Sequence, residues 1–170
     1  MRRFGSVCLI IVFGILLSDA AVRAQGVRFN GIGGRLGFVK PDNIDGTFGI
    51  GFHADLGEII PNLTLYPSIE YWEENEEIGP FGVDISQLAL NGDLRYYFPL
   101  AGDSNVDVFA GGGLAILFND PGDNDVGINA IGGVDVPVSK SWVAGGELRF
   151  VINDNTVFKI MAGITYIFGK

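Results

Sequence analysis

From Asn30 to the end of the chain, apolar residues recur at every second position, and clusters of Gly, Pro, Asn and Asp interrupt the alternation. A period of two is the mark of a strand with unlike faces, whereas an amphipathic helix sets its apolar residues three and four apart. The interruptions predict eight strands, over 31–40, 46–56, 62–73, 82–98, 104–118, 125–137, 140–152 and 155–168. In the last, Phe158, Ile160, Ala162, Ile164, Tyr166 and Phe168 share one face against Lys159, Met161, Gly163 and Thr165. Leu88, Leu90, Leu94, Tyr96 and Phe98 oppose Gln87, Asn91, Asp93 and Arg95 in the same way, and Phe48, Ile50, Phe52, Ala54 and Leu56 oppose Thr47, Gly49, Gly51, His53 and Asp55. Each segment meets the about 9–11 tilted residues that a membrane strand needs. The pattern therefore predicts an all-β, eight-stranded antiparallel up-and-down transmembrane barrel.

Alternation alone does not say which face is outside. A soluble ligand-binding barrel buries its apolar face, and a membrane barrel turns that face to lipid. Three features favour the membrane. Aromatic residues gather near strand ends, with Tyr71, Trp72 and Phe81 expected at one rim and Tyr96, Tyr97, Phe98, Trp142, Tyr166 and Phe168 at the other. The polar face carries many glycines, among them Gly33, Gly37, Gly49, Gly51, Gly111, Gly113 and Gly163, which suits a narrow lumen. Arg35, Arg95, Arg149 and Lys159 share that face with Asp55, Glu70, Asp93, Asp107, Asp135 and Glu147, a set able to pair with itself inside a barrel.

The N-terminus changes the picture of where the chain goes. Arg2 and Arg3 precede an apolar run from Val7 to Leu17, and Val22-Arg23-Ala24 fits a small-x-small cleavage site, so residues 1–24 are expected to be a cleaved signal peptide and 25–170 the barrel. Cys8 lies ahead of the run, where a lipid-attachment cysteine would follow it. Without the leader the chain holds no cysteine for a disulfide, and its 8 basic and 19 acidic residues give a formal charge of −11. That charge argues against nucleic acid as a partner. The excess acid falls in the predicted connections, at Asp42, Asp45, Glu73, Glu74, Glu76, Glu77, Asp120, Asp123, Asp125 and Asp154.

Candidate chemistry is sparse. His53, the single histidine, shares a strand face with Asp55, and Ser68 on the next strand is a conceivable nucleophile; the plainer reading makes His53 a lumen-filling member of the charge network. The acidic stretches 73–77 and 119–125 are oxygen-rich, as calcium prefers, but lack EF-hand spacing and read first as solvated loops. Gly31-Ile32-Gly33-Gly34-Arg35-Leu36-Gly37 departs from a dinucleotide loop at Leu36, with no helix to follow. Catalysis, cofactor and metal are accordingly not expected. Counting from a turn at Ala101-Gly102 places Arg95 within reach of Asp107, with Asp135 able to share it, and sets Arg149 opposite a Lys159 near the rim.

The signal peptide, the eight amphipathic segments and a last strand running Ile160, Ala162, Ile164, Tyr166, Phe168 resemble the small outer-membrane barrel superfamily of OmpA-type transmembrane domains and OmpX-like proteins. The resemblance implies an outer-membrane monomer in contact with lipid and lipopolysaccharide. It also implies that Tyr166 and Phe168 belong to a signal read by the barrel-assembly machinery, although Gly169 and Lys170 follow where the family normally ends on the aromatic. With both termini periplasmic, the acidic connections face outward. Three roles stay open: a structural or surface-interaction barrel with a plugged polar lumen, a narrow conduit or carrier for small hydrophobic compounds, and a soluble periplasmic ligand-binding barrel.

Overall fold

The computed structural model describes residues 27–42, 45–78, 81–100 and 105–169; the expected leader lies outside them. The strands are β1 (Gly31–Pro41), β2 (Thr47–Asp55), β3 (Glu58–Ile60), β4 (Leu63–Ile78), β5 (Phe81–Phe98), β6 (Asp107–Asp120), β7 (Asp125–Pro137), β8 (Trp142–Ile152) and β9 (Val157–Ile167), with no helix among the described residues. Each long strand pairs antiparallel with its neighbours, β1 meets β9, and β2 meets β4, so the sheet closes on itself. β3 is an irregular extension of the β2 position. Gly57 turns there with φ 76°, a conformation glycine adopts at no steric cost, and Leu65 N–H donates to its carbonyl oxygen at 3.1 Å. The eight-stranded barrel is thus made by β1, β2 with β3, and β4 to β9.

Two boundaries differ from the sequence-based expectation. Residues 57–61, expected as a turn, contain β3, and the tight reversal is confined to Pro61 and Asn62, where Asn62 takes φ 65°. Residues 74–81, expected as a connection, continue the β4–β5 ladder to Ile78↔Phe81. The acidic side chains of 73–77 read as loop composition, yet period and pairing persist through them. The hairpin thereby projects past its neighbours, since β2 pairs with β4 only as far as Trp72 and β6 with β5 only as far as Ser86.

The first and last described segments meet at one end of the barrel, the terminus end, where Phe168 N–H donates to Asn30 O at 2.7 Å and the Phe29 and Phe168 rings stack 5.3 Å apart. The facing is inverted relative to a soluble protein. Phe48 is 74% exposed and Leu36, Phe52, Leu114 and Val126 are each 62% exposed, while Arg149 and Asp93 are fully buried and Lys159 is 1% exposed. Such an exterior is stable only against an apolar solvent. Tyr96 and Phe98 form an edge contact at the terminus end, where Trp142–Tyr166 and Tyr166–Phe168 do the same. Phe38–Phe48 and Phe150–Phe158 contacts sit toward the other end. Trp72 and Tyr97, expected in these girdles, instead turn inward to hydrogen-bond Gln87 and Asp135. The Phe81 side chain lies outside what is described.

If that face meets lipid, Leu114→Arg near the middle of β6 should destabilise the barrel by about 2–4 kcal/mol. Urea unfolding in lipid vesicles measures it; a loss below about 1 kcal/mol would contradict the assigned facing.

Candidate functional site

The interior positions of the strands build three successive zones. Toward the loop end, Val39, Trp72, Ala89, Ala115, Leu117, Val151 and Val157 form a buried apolar cluster, with Ile85 packed against it. All are inward by the period-two rule, so this half of the lumen has the character of an ordinary protein core.

Below it lies the charge network. Glu147 accepts from Arg35 Nη1 at 3.0 Å, from Arg149 Nε at 2.9 Å and from Arg95 Nη2 at 2.5 Å. Glu70 accepts from Lys159 Nζ at 2.7 Å and pairs with Arg35 Nη2 at 2.5 Å. Asp93 takes Arg149 Nη2 at 2.7 Å and Asn129 Nδ2 at 2.7 Å, and Asn129 also reaches Asn91. Four cations are therefore interleaved with Glu70, Asp93, Glu147 and the half-buried Asp135, and each carboxylate lies within reach of a guanidinium or ammonium group. This alternation answers the several kcal/mol that each dehydrated charge would otherwise cost. Arg95 is also sandwiched between aromatic faces, 3.4 Å from the Tyr66 centroid and 4.2 Å from that of Phe109. Glycine makes the room: a Cβ at Gly33 would overlap the His53 ring, and one at Gly163 would come within 2.9 Å of Arg35 Cβ.

Toward the terminus end the lumen widens into a vestibule of about 570 Å³. Asp55 and Asp107 lie here, lining the opening and separated from the network's centre. The β5–β6 register pairs Arg95 with Gly111 and Phe98 with Val108, so the expected Arg95–Asp107 pair is not made. The connection runs from Pro99 to Val106, longer than the tight turn from which the register was counted. Asp135 does approach Arg95, at 3.7 Å. Arg149 does face Lys159 across β8–β9, but Lys159 is buried and bound to Glu70, not poised at a rim.

His53, Asp55 and Ser68 do not form a relay. His53 Nε2 lies 2.8 Å from Thr165 Oγ1, Asp55 accepts from Gly57 N–H, and Ser68 Oγ accepts from Asn91. Glu73 and Glu74 alternate along β4, and Asp125 is engaged by Val126 N–H and Asn153. Among the described residues no three His, Cys, Asp or Glu side chains gather as metal ligands. Sequence reasoning put Asn91 and Thr165 on the polar face without assigning them to the network, and missed Asn129, Tyr66 and Phe109, which share the inward parity of the charges and could have been found by it.

No protein-family profile and no characterised protein matches the sequence. Solved structures match the fold. Neisserial surface protein A aligns with a TM-score of 0.63 at 14% identity, covering 81% of this chain and 96% of that one. OprG from Pseudomonas aeruginosa gives 0.61 at 14% identity over 86% and 99% of the two chains. Ail of Yersinia pestis, in complex with the heparin analogue sucrose octasulfate, gives 0.51 at 17% identity over 85% and 99%. The chain has the fold of the small outer-membrane β-barrels. At these identities the likeness carries the fold, and the exposed apolar belt is what sets this outer-membrane barrel fold in lipid.

Arg149→Ala, which strands Asp93 and part of Glu147, should destabilise the barrel by about 3–5 kcal/mol. A double-mutant cycle on Arg95 and Glu147 should show coupling, and one on Arg95 and Asp107 should show none, read by unfolding in vesicles. Equal coupling in the two cycles would contradict the register.

Proposed function

We propose that the protein is a monomeric outer-membrane barrel with a closed lumen, serving a structural or surface-interaction role and performing no chemistry of its own. The observation that carries this reading is the occupancy of the interior: a salt-bridged layer and a dry apolar layer lie in series between the vestibule and the loop end. A hydrophilic solute would have to break the first and dehydrate through the second. A hydrophobic cargo would meet the buried charges instead, which speaks against a carrier.

The surface role rests on the loop end. Asp42, Asp45, Glu73, Asp84, Asp120, Asp123 and Asp154 stand there, several of them exposed, with Lys40 as the nearby cation. An acidic crown repels polyanions, so the sulfated ligand held by Ail is a poor guide to any partner here. A cationic or cation-bridged partner, such as lipopolysaccharide phosphate neutralised by divalent ions, suits it better. Phe168 is the proposed assembly aromatic, together with Tyr166; its exposed ring joins Phe29 and Tyr166 at the terminus-end girdle.

Planar-bilayer recording of the purified barrel should show no steady unitary conductance, and a reproducible open step would overturn the closed lumen. In cells, Phe168→Ala should lower the folded outer-membrane fraction, scored by the mobility difference between unheated and heated samples. Undiminished folding would separate Phe168 from the assembly signal.

A further inference from the structure

The vestibule at the terminus end has a chemistry that the closed-lumen reading does not use. Its volume, about 570 Å³, falls within the range of small-molecule sites. Asp55, Glu58, Asp107 and Asp135 line it, and Arg28 is the one cation among the described residues that do so. Asp107 and Asp135 are direct partners across the β6–β7 ladder, and like charges so placed disfavour the pairing unless something positive lies between or beside them. Of these two carboxylates Arg95 reaches Asp135, at 3.7 Å, while its closer ion pair is with Glu147. Tyr97 donates to the same Oδ2 at 2.7 Å, which fixes that carboxylate in place.

A second observation lies deeper. Tyr66, Asp135 and Thr165 line both the vestibule and an inner recess of about 20 Å³, so the two spaces adjoin. His53 and Arg95 also line the recess, both more than nine-tenths buried, and His53 Nδ1 and Arg95 Nε have no hydrogen-bond partner. The Tyr66 ring stacks on the His53 imidazole at 4.9 Å and His53 Nε2 lies 2.8 Å from Thr165 Oγ1, contacts that fix the ring and leave Nδ1 as its unpaired nitrogen. A recess of that size accommodates one oxygen or nitrogen atom, and buried polar atoms left unpaired are destabilising until such an atom completes them.

We propose that this vestibule binds a small hydroxylated organic amine. Its ammonium group sits at Asp107 and Asp135, and a hydroxyl enters the recess to meet His53 Nδ1 and Arg95 Nε. The four carboxylates exclude the anionic counterpart, and a neutral sugar of the same shape lacks the ion pair. The vestibule lies at the terminus end, so with periplasmic termini it takes its ligand from the periplasmic side. It does not depend on the lumen being closed, and conductance measurements leave it untouched.

The test is a two-dimensional amide NMR titration of the refolded barrel in detergent micelles, with glucosamine as probe and glucose and glucuronate as neutral and anionic matches. Saturating shifts are expected at Tyr97, Asp135, Gly145 and Thr165 with glucosamine, with affinity about tenfold or more above that for the other two sugars. Asp107→Asn, at an exposed position, should keep the heat-modifiable fold and lower that affinity about tenfold, while Asp123→Asn in the loop-end connection should leave it unchanged. Absence of saturation, equal response to glucose, undiminished binding by Asp107→Asn, or shifts as large at Asp123 as at Asp135 would each overturn the site.

Discussion

Lipid offers no partner to a backbone amide, and that one constraint organises the whole molecule. A chain whose strands alternate with period two can satisfy every N–H and C=O in a bilayer only by closing its sheet, and the β2–β4 and β1–β9 pairings accomplish the closure. Closing eight strands fixes a small interior. From there the choice of inward side chains follows. Beside Arg35, His53 and Arg95 a neighbouring strand carries glycine, at Gly163, Gly33 and Gly111.

The interior then has to solve the problem of buried charge, and it does so by sharing. Glu147 touches three guanidinium groups and Glu70 touches two cations closely, so no single pair bears the full desolvation of its members. Such a network is weak as a source of net stability and strong as a specifier of register, since a two-residue slip would bring Arg149 away from Asp93 and leave both stranded. The apolar cluster around Trp72 and Leu117 contributes the opposite kind of stabilisation, non-directional and dry. The two are stacked along one axis, and this arrangement makes the barrel resemble a small globular core enclosed in a sheet that faces lipid.

Much of this was legible in the residues. The strand count, the hairpin order and the face assignment at Leu36, Leu114 and Ile160 all follow from alternation, because a one-residue error in a strand would exchange its faces and destroy the pattern. Register between strands was less legible. It depends on where each connection ends, and the long stretch from Pro99 to Val106 shifted Arg95 away from Asp107 to lie against Gly111. Contacts across the lumen, such as Arg35 with Glu147, join β1 to β8, which do not neighbour each other in the sheet, so no ladder count reaches them. Composition misled at 73–77, where glutamates in a strand passed for a loop, and at Trp72, where an aromatic near a strand end passed for a girdle residue.

The claim on which everything else rests is that the apolar face meets lipid, and spin labelling tests it directly. The sequence has Cys8 as its sole cysteine, ahead of the expected cleavage site, so a nitroxide can be attached singly at Leu36→Cys, Leu114→Cys, Leu148→Cys and Ile160→Cys in reconstituted bilayers. Collisions with oxygen, which concentrates in hydrocarbon, should exceed those with a water-soluble nickel chelate at all four positions. Dominance of the nickel chelate at these sites would show the face bathed in water and contradict the membrane barrel.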